Sequence, residues 1–127
     1  MDSPVPEIAM YVTRTWRTTM SKYHATPTTV NGIRFDSKRE AERYRELMLM
    51  LRAGEIVDLR LQPTLTLIEG WTKPNGERVK PEIYRADFSY ILRGRRVYED
   101  VKGTRTQVYQ IKKKQVLDKY GIEIVEV

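Results

Sequence analysis

Residues Ile83 to Leu92 alternate apolar and polar side chains, break at Arg93-Gly94-Arg95, and alternate again from Arg96 to Lys102. Two period-two runs joined by so short a Gly-containing break predict an antiparallel β-hairpin. The pleat then decides which side chains meet. Tyr84, Ala86, Phe88, Tyr90 and Leu92 take the apolar face, and Arg85, Asp87 and Ser89 share the other. On the return strand Asp100 and Lys102 share a face with Tyr98, while Val97, Glu99 and Val101 lie opposite. A two-residue turn at Arg93-Gly94 sets Asp87 directly across from Asp100. A turn at Gly94-Arg95 sets it across from Lys102, still on the same side. A three-residue loop spoils the register unless a bulge restores it. Two like charges facing each other destabilise a plain sheet, so this pair asks for a cation between them.

A third acid lies upstream. Ser37-Lys38-Arg39-Glu40 has the spacing of a capping box, and Gly54 supplies the stop of the helix it opens. At roughly 100° per residue, Ala41, Tyr44, Leu47, Met48 and Leu51 form one stripe. Glu40 falls inside that stripe, whereas Arg39, Glu42, Arg43 and Glu46 point the other way. As the last residue of the box, Glu40 has a plain use, reaching back to the Ser37 amide. On a buried face, however, a carboxylate also needs a compensating charge, because burying it unpaired is costly or forces protonation. A metal ion, an arginine or the helix N-terminus would each serve.

The remaining pattern predicts an α/β fold, a mixed sheet covered by helices. Asn31-Gly32 is a turn between short extended pieces, Thr28 to Val30 and Ile33 to Phe35. Ile56 to Leu61 and Thr64 to Glu69 read as strands interrupted by Gln62-Pro63, and Lys73-Pro74-Asn75-Gly76 as a loop. A second helix is expected from about Thr106 to Tyr120 with Gly121 as its stop, then a closing strand from Ile122 to Val127. Residues 1–30 show no clear period. They read as a basic arm in which Arg14, Arg17 and Lys22 are interleaved with Trp16 and Tyr23, and residues 31–127 form the core domain.

Composition narrows the chemistry. Lysine and arginine number 23 against 17 acids, a net charge of +6 with a pI near 9.6, which favours a polyanionic partner such as nucleic acid. Without cysteine, disulfides and thiolate metal sites are excluded, and a reducing, cytoplasmic setting is expected. A single histidine, His24, rules out histidine-based metal motifs and sits in a Pro/Thr-rich stretch unsuited to a Ser-His-Asp triad. No apolar run approaches the roughly 20 residues that span a bilayer, so no membrane association is expected. Any catalysis must therefore use carboxylates and lysine.

Glu40, Ala86-Asp87-Phe88 and Glu99-Asp100-Val101-Lys102-Gly103, with Gln62-Pro63 between them, resemble the PD-(D/E)XK nuclease superfamily, and in particular its small phage proteins and Holliday-junction resolvases. The resemblance covers roughly Ile33 to Val127 and implies a restriction-endonuclease-like αβββαβ core. It also implies that Glu40, Asp87 and Asp100 are metal ligands and Lys102 is the catalytic lysine, and it suggests a homodimer that makes paired cuts. Ala86 stands where the motif usually has proline. Glu99 competes with Asp100 as a ligand, and strand parity with Lys102 favours Asp100.

Such a set would hold Mg²⁺, with Mn²⁺ able to substitute and Ca²⁺ supporting binding with little cleavage. Lys102 would orient or deprotonate the attacking water, or offset developing charge. Arg105, Lys112 and Lys113, together with Arg14, Arg17 and Lys22, are the expected phosphate contacts. Lys114 and Lys119 read equally well as a solvated face. Gln62 and Ser89 are candidates for polar positioning, and Tyr109 and Tyr120 for core or interface. A flap, nicking or sequence-specific duplex endonuclease remains an alternative, as does a non-catalytic basic DNA-binding module.

Overall fold

The computed structural model of the protein describes residues 11–12, 27–101 and 105–127. In chain order these form β1 (Tyr11–Val12), β2 (Thr28–Val30), β3 (Ile33–Phe35), α1 (Lys38–Arg52), β4 (Ile56–Leu61), β5 (Thr64–Ile68), β6 (Trp71–Thr72), β7 (Arg78–Val79), β8 (Glu82–Arg85), β9 (Phe88–Leu92), β10 (Arg95–Asp100), α2 (Gln107–Tyr120) and β11 (Val125–Glu126). The architecture is α/β, a mixed five-stranded sheet with two helices. Its strand order is β1-β4-β9-β10-β11. The outer pairs β1–β4 and β10–β11 are parallel, and the inner pairs β4–β9 and β9–β10 are antiparallel.

Local chemistry sets the boundaries of both helices. The Ser37 hydroxyl accepts the Glu40 amide at 3.1 Å to start α1, and the Thr106 hydroxyl accepts the Tyr109 amide at 3.0 Å to start α2. Gly121, at φ 69°, ends α2 in the left-handed conformation that glycine adopts without steric penalty. The β2–β3 hairpin turns at Asn31-Gly32 and so spans the boundary expected between arm and core. Tyr11–Val12, within the stretch that shows no sequence period, pairs with β4 as an edge strand.

Ile83 to Leu92 is not one strand. Ala86 and Asp87 break it, so that β8 pairs with β5 in a separate ribbon while β9 enters the main sheet. The residues Lys73 to Gly76, expected as a loop, are the tip of a small hairpin, β6–β7, that prolongs this ribbon. The turn at Arg93-Gly94 has both residues at positive φ, 52° and 80°, the geometry of a tight two-residue hairpin. The resulting register runs from Arg95 opposite Leu92 to Glu99 opposite Phe88.

Two cores follow from strand parity. One, on the α1 side, gathers Phe35, Tyr44, Leu47, Ile56, Leu59, Leu61, Phe88 and Tyr90, with Val97 at its margin. The other, under α2, gathers Leu67, Tyr84, Ala86, Tyr109, Val116 and Ile124, with Tyr98 at its margin. Val97 and Tyr98 are neighbours on β10 and therefore face opposite ways. Among the described residues, no helix is long and apolar enough to cross a membrane.

Candidate active site

Glu40 and Asp87 meet where α1 begins and where the chain crosses from ribbon to sheet. Glu40 is buried, as the helical stripe predicts, together with Ala41, Tyr44, Leu47 and Met48. One of its carboxyl oxygens accepts the Asp36 amide at 3.1 Å, one residue before the N-cap rather than at Ser37. Its carboxyl group is also hydrogen-bonded to Asp87. Burial first, and then the charge of Asp87, push the Glu40 pKa up to about 9. Two carboxyl groups pressed together in a poorly solvated place need either a shared proton or a cation.

Asp87 is held on both sides of Asp100. Its amide donates to the Glu99 carbonyl at 3.0 Å, and its carboxylate accepts the Val101 amide at 2.7 Å. The carbonyl of Asp87 accepts the Gln62 amide at 2.9 Å, and the Pro63 carbonyl accepts the Ala86 amide at 3.0 Å. Gln62-Pro63 thus frames the kink from the β4–β5 connection, with Gln62 buried at φ 53°. Because Asp87 lies one step beyond the last ladder pair, strand parity no longer confines it to one face. It can turn toward Glu40 on the α1 side.

Asp100 stays within β10, is 2% exposed, and accepts a hydrogen bond from the Tyr84 hydroxyl. It is also near enough to Tyr109 for its charge to add to the burial and the Glu126 bond that raise that phenol's pKa. A buried carboxylate takes a nearby proton donor, and for Asp100 that donor is a phenol on the α2 side. Consequently the expected triad is assembled in part. Glu40 and Asp87 are in contact, and Asp87 is bonded around Asp100, but among the described residues no three Asp, Glu, His or Cys side chains form a group able to hold a metal ion. Lys102, Arg14, Arg17 and Lys22 lie outside the described residues.

Glu99 is fully buried on the α1 side and serves a different purpose from Asp100. Arg43 grips it with two hydrogen bonds, at 2.9 and 2.6 Å, and the Tyr90 hydroxyl donates to it as well. Helical period points Arg43 away from the buried stripe, which by itself names no partner. Arg43 lies along the flank of α1, pairing with Glu46 at 2.8 Å and reaching across to β10. The cross-link ties the helix carrying Glu40 to the strand carrying Asp100. Burial, and next the Glu99 carboxylate, raise the Tyr90 pKa to about 12. Tyr84, Tyr90 and Arg43 were missed as polar participants. The signal was present, since a tyrosine on a buried face needs a partner for its hydroxyl.

Arg105, Lys112 and Lys113, the expected phosphate contacts among the described residues, are engaged within the chain. Arg105 and Lys113 bond Glu126 at 2.8 and 3.0 Å, alongside the Tyr109 hydroxyl at 2.6 Å. Lys112 donates to the Ile83 carbonyl at 2.9 Å. Lys119 donates to the Leu67 carbonyl at 3.3 Å and Tyr120 to the Thr66 carbonyl at 2.6 Å, fastening α2 to the ribbon. Ser89 is buried beside the Arg96 guanidinium at 3.1 Å, and Arg96 also pairs with Asp58.

Glu40 and Asp87 offer hard carboxylate oxygens of the kind a divalent cation takes, and burial with the neighbouring Asp87 charge makes Glu40 favour its protonated form. A search of family models places residues 20–124 within the family described as Protein of unknown function (DUF1064), and the chain belongs to that family. No curated protein and no solved structure matches it.

Proposed function

We propose that this DUF1064-family chain is a divalent-metal-dependent endodeoxyribonuclease that acts as a homodimer on branched DNA, four-way junctions above all, in the cytoplasm. The observation that carries this is the contact between Glu40, buried on a helix, and Asp87, itself bonded to the residues on either side of Asp100. The element order α1-β4-β9-β10-α2-β11, with β11 parallel to β10, supports a restriction-endonuclease-like core.

Glu40 and Asp87 would hold Mg²⁺ or Mn²⁺, with Asp100 completing the set once its carboxylate leaves Tyr84. A bound cation would supply charge neutralisation on the phosphate and a lowered pKa for an attacking water. The protein's own part is positional. Asp36, Ser37 and the α1 N-terminus orient Glu40, the Gln62-Pro63 connection fixes the Asp87 backbone, and the Arg43–Glu99 pair holds helix to strand. Lys102, two residues beyond Asp100, would orient the water or offset developing charge. A C2 dimer provides the two equivalent sites that symmetric junction cleavage requires.

One observation favours a second reading. Asp100 is satisfied by Tyr84, and Asp87 by the Val101 amide, as in a basic DNA-binding domain whose acids are structural. Incubating labelled four-way junctions and linear duplexes of the same arms with the protein and Mg²⁺, Mn²⁺ or Ca²⁺ separates the two. Cleavage with Mg²⁺ that is lost in Asp87→Asn and Lys102→Ala, with binding retained, is the expected result. Binding without cleavage under every metal would overturn the nuclease proposal, and equal cleavage of linear duplex would remove the junction preference.

A further inference from the structure

The sheet divides the three acids of the proposed site. Glu40 and Asp87 meet on the α1 side. Asp100 is held on the α2 side, 2% exposed, by the hydroxyl of Tyr84. Tyr84 is itself 4% exposed and packs in the core under α2, its ring centroid 6.4 Å from that of Tyr109. Tyr84 and Asp87 therefore stand on the two sides of the kink at Ala86-Asp87 and fasten adjacent residues at the end of β10. The Tyr84 hydroxyl takes the Asp100 side chain, and the Asp87 carboxylate takes the Val101 amide.

A buried phenol needs an acceptor and a buried carboxylate needs a donor. Here each satisfies the other, so parting them strands a polar group. Asp100 cannot keep this bond and also turn its carboxylate toward Glu40 and Asp87, because a strand position presents its side chain to one face at a time. The backbone leaves room for an exchange. Asp100 is the last residue of β10 and lies past Glu99 and Phe88, the final pair of the β9–β10 ladder. Glu126, opposite Asp100 on β11, has its own donors in Tyr109, Arg105 and Lys113, so that network stands without Asp100.

We propose that Tyr84 is a latch that sets the affinity of the carboxylate site for its divalent cation: Asp100 is either bonded to Tyr84 or turned to ligate with Glu40 and Asp87, and the fraction turned scales the apparent affinity. The latch rests on the nuclease reading for the identity of the site. It makes Tyr84 a positioning residue that opposes ligation. A tyrosine that oriented a ligating carboxylate would act in the other direction, and its loss would weaken metal binding.

The sign of one substitution therefore decides. Mg²⁺ and Mn²⁺ binding is measured by calorimetry on the full chain, without DNA, for the parent, Tyr84→Phe, Asp100→Asn and the double variant. Tyr84→Phe should bind about tenfold more tightly, ~1.4 kcal/mol, the low end for a hydrogen bond to a charged group. Its melting temperature should fall without metal, and saturating Mg²⁺ should close most of the gap to the parent. A purely structural loss would leave that gap unchanged. Asp100→Asn keeps an acceptor for the Tyr84 hydroxyl and should bind at least tenfold more weakly, and adding Tyr84→Phe to it should change nothing further. Binding by Tyr84→Phe that equals the parent's or is weaker would overturn the latch. If that variant does not fold, parental affinity in Asp100→Asn would overturn it instead. A failed latch with metal binding still lost in Asp87→Asn leaves the nuclease reading standing, whereas a parent that binds neither metal refutes both.

Discussion

The Asp87 carboxylate accepts the Val101 amide at 2.7 Å, so an acid from the β8–β9 kink is fixed to the backbone just past Asp100. This bond fastens the two acid-bearing segments at the point where the regular ladder stops at Glu99 and Phe88. It also explains how a side chain that parity assigns to one face comes to touch Glu40 on the other.

Asp87→Asn keeps a carbonyl oxygen for the Val101 amide while removing the negative charge. Thermal unfolding of this variant should stay within a few degrees of the parent, since the backbone bonds to Gln62 and Glu99 remain. Metal-dependent cleavage should drop by about 10²-fold or more, the scale of losing one preorganised electrostatic group. A variant that melts far lower would assign Asp87 to folding rather than to catalysis.

Glu40→Gln should raise the stability of the metal-free protein near pH 8. It removes the cost of protonating a carboxyl group that folding buries beside Asp87, yet keeps an acceptor for the Asp36 amide. The expected gain is on the order of 1 kcal/mol, at the low end for relieving a buried, poorly solvated carboxyl group. Mg²⁺ should stabilise the parent if it binds between Glu40 and Asp87, and the same variant should lose that stabilisation. Urea titrations with and without Mg²⁺ measure both effects, and a variant less stable than the parent in metal-free buffer would contradict the first.

Arg43→Met leaves Glu99 buried without its cation and should cost about 3–5 kcal/mol, the usual penalty for breaking one side of a buried pair. Arg43→Met combined with Glu99→Met should recover most of that loss, because no charge is left stranded. The double-mutant cycle in urea tests this, and additive losses would show that the pair is not coupled.

Glu126 supplies a pH dependence on the acid side. Hydrogen bonds from Tyr109, Lys113 and Arg105 hold its pKa down, to about 2. A carboxylate lowered on folding contributes stability that is fully present above its unfolded pKa near 4.5 and is lost as pH falls toward 2. Stability should therefore decline across that window, and Glu126→Gln should make the decline shallower while leaving α2 less firmly tied to β11. Parallel slopes for the two proteins between pH 4.5 and 2 would count against this role.

Much of the local structure was legible in the residues alone. Ser37 and Thr106 start their helices, Gly121 stops the second, and the Arg93-Gly94-Arg95 break turns β9 into β10, because each depends on neighbours in sequence. Glu40 was likewise placed by helical period, one residue against a fixed stripe. Arg43 escaped the same geometry, because a long side chain at the edge of a helix can reach a partner that sequence does not name.

Sequence by itself determined the α/β class, the burial of Glu40 and a β9–β10 hairpin with Asp87 opposite either Asp100 or Lys102, and the tertiary structure chose the Arg93-Gly94 register. Only the tertiary structure decided that the chain breaks at Ala86-Asp87, that Tyr84 takes the Asp100 carboxylate and that Glu99 belongs to Arg43. The reason is range. Caps, turns and periodicity act within a few residues, whereas the partners of the buried charges Glu99 and Asp100 lie 9 to 56 positions away and are set by whichever donor the packed core leaves within reach.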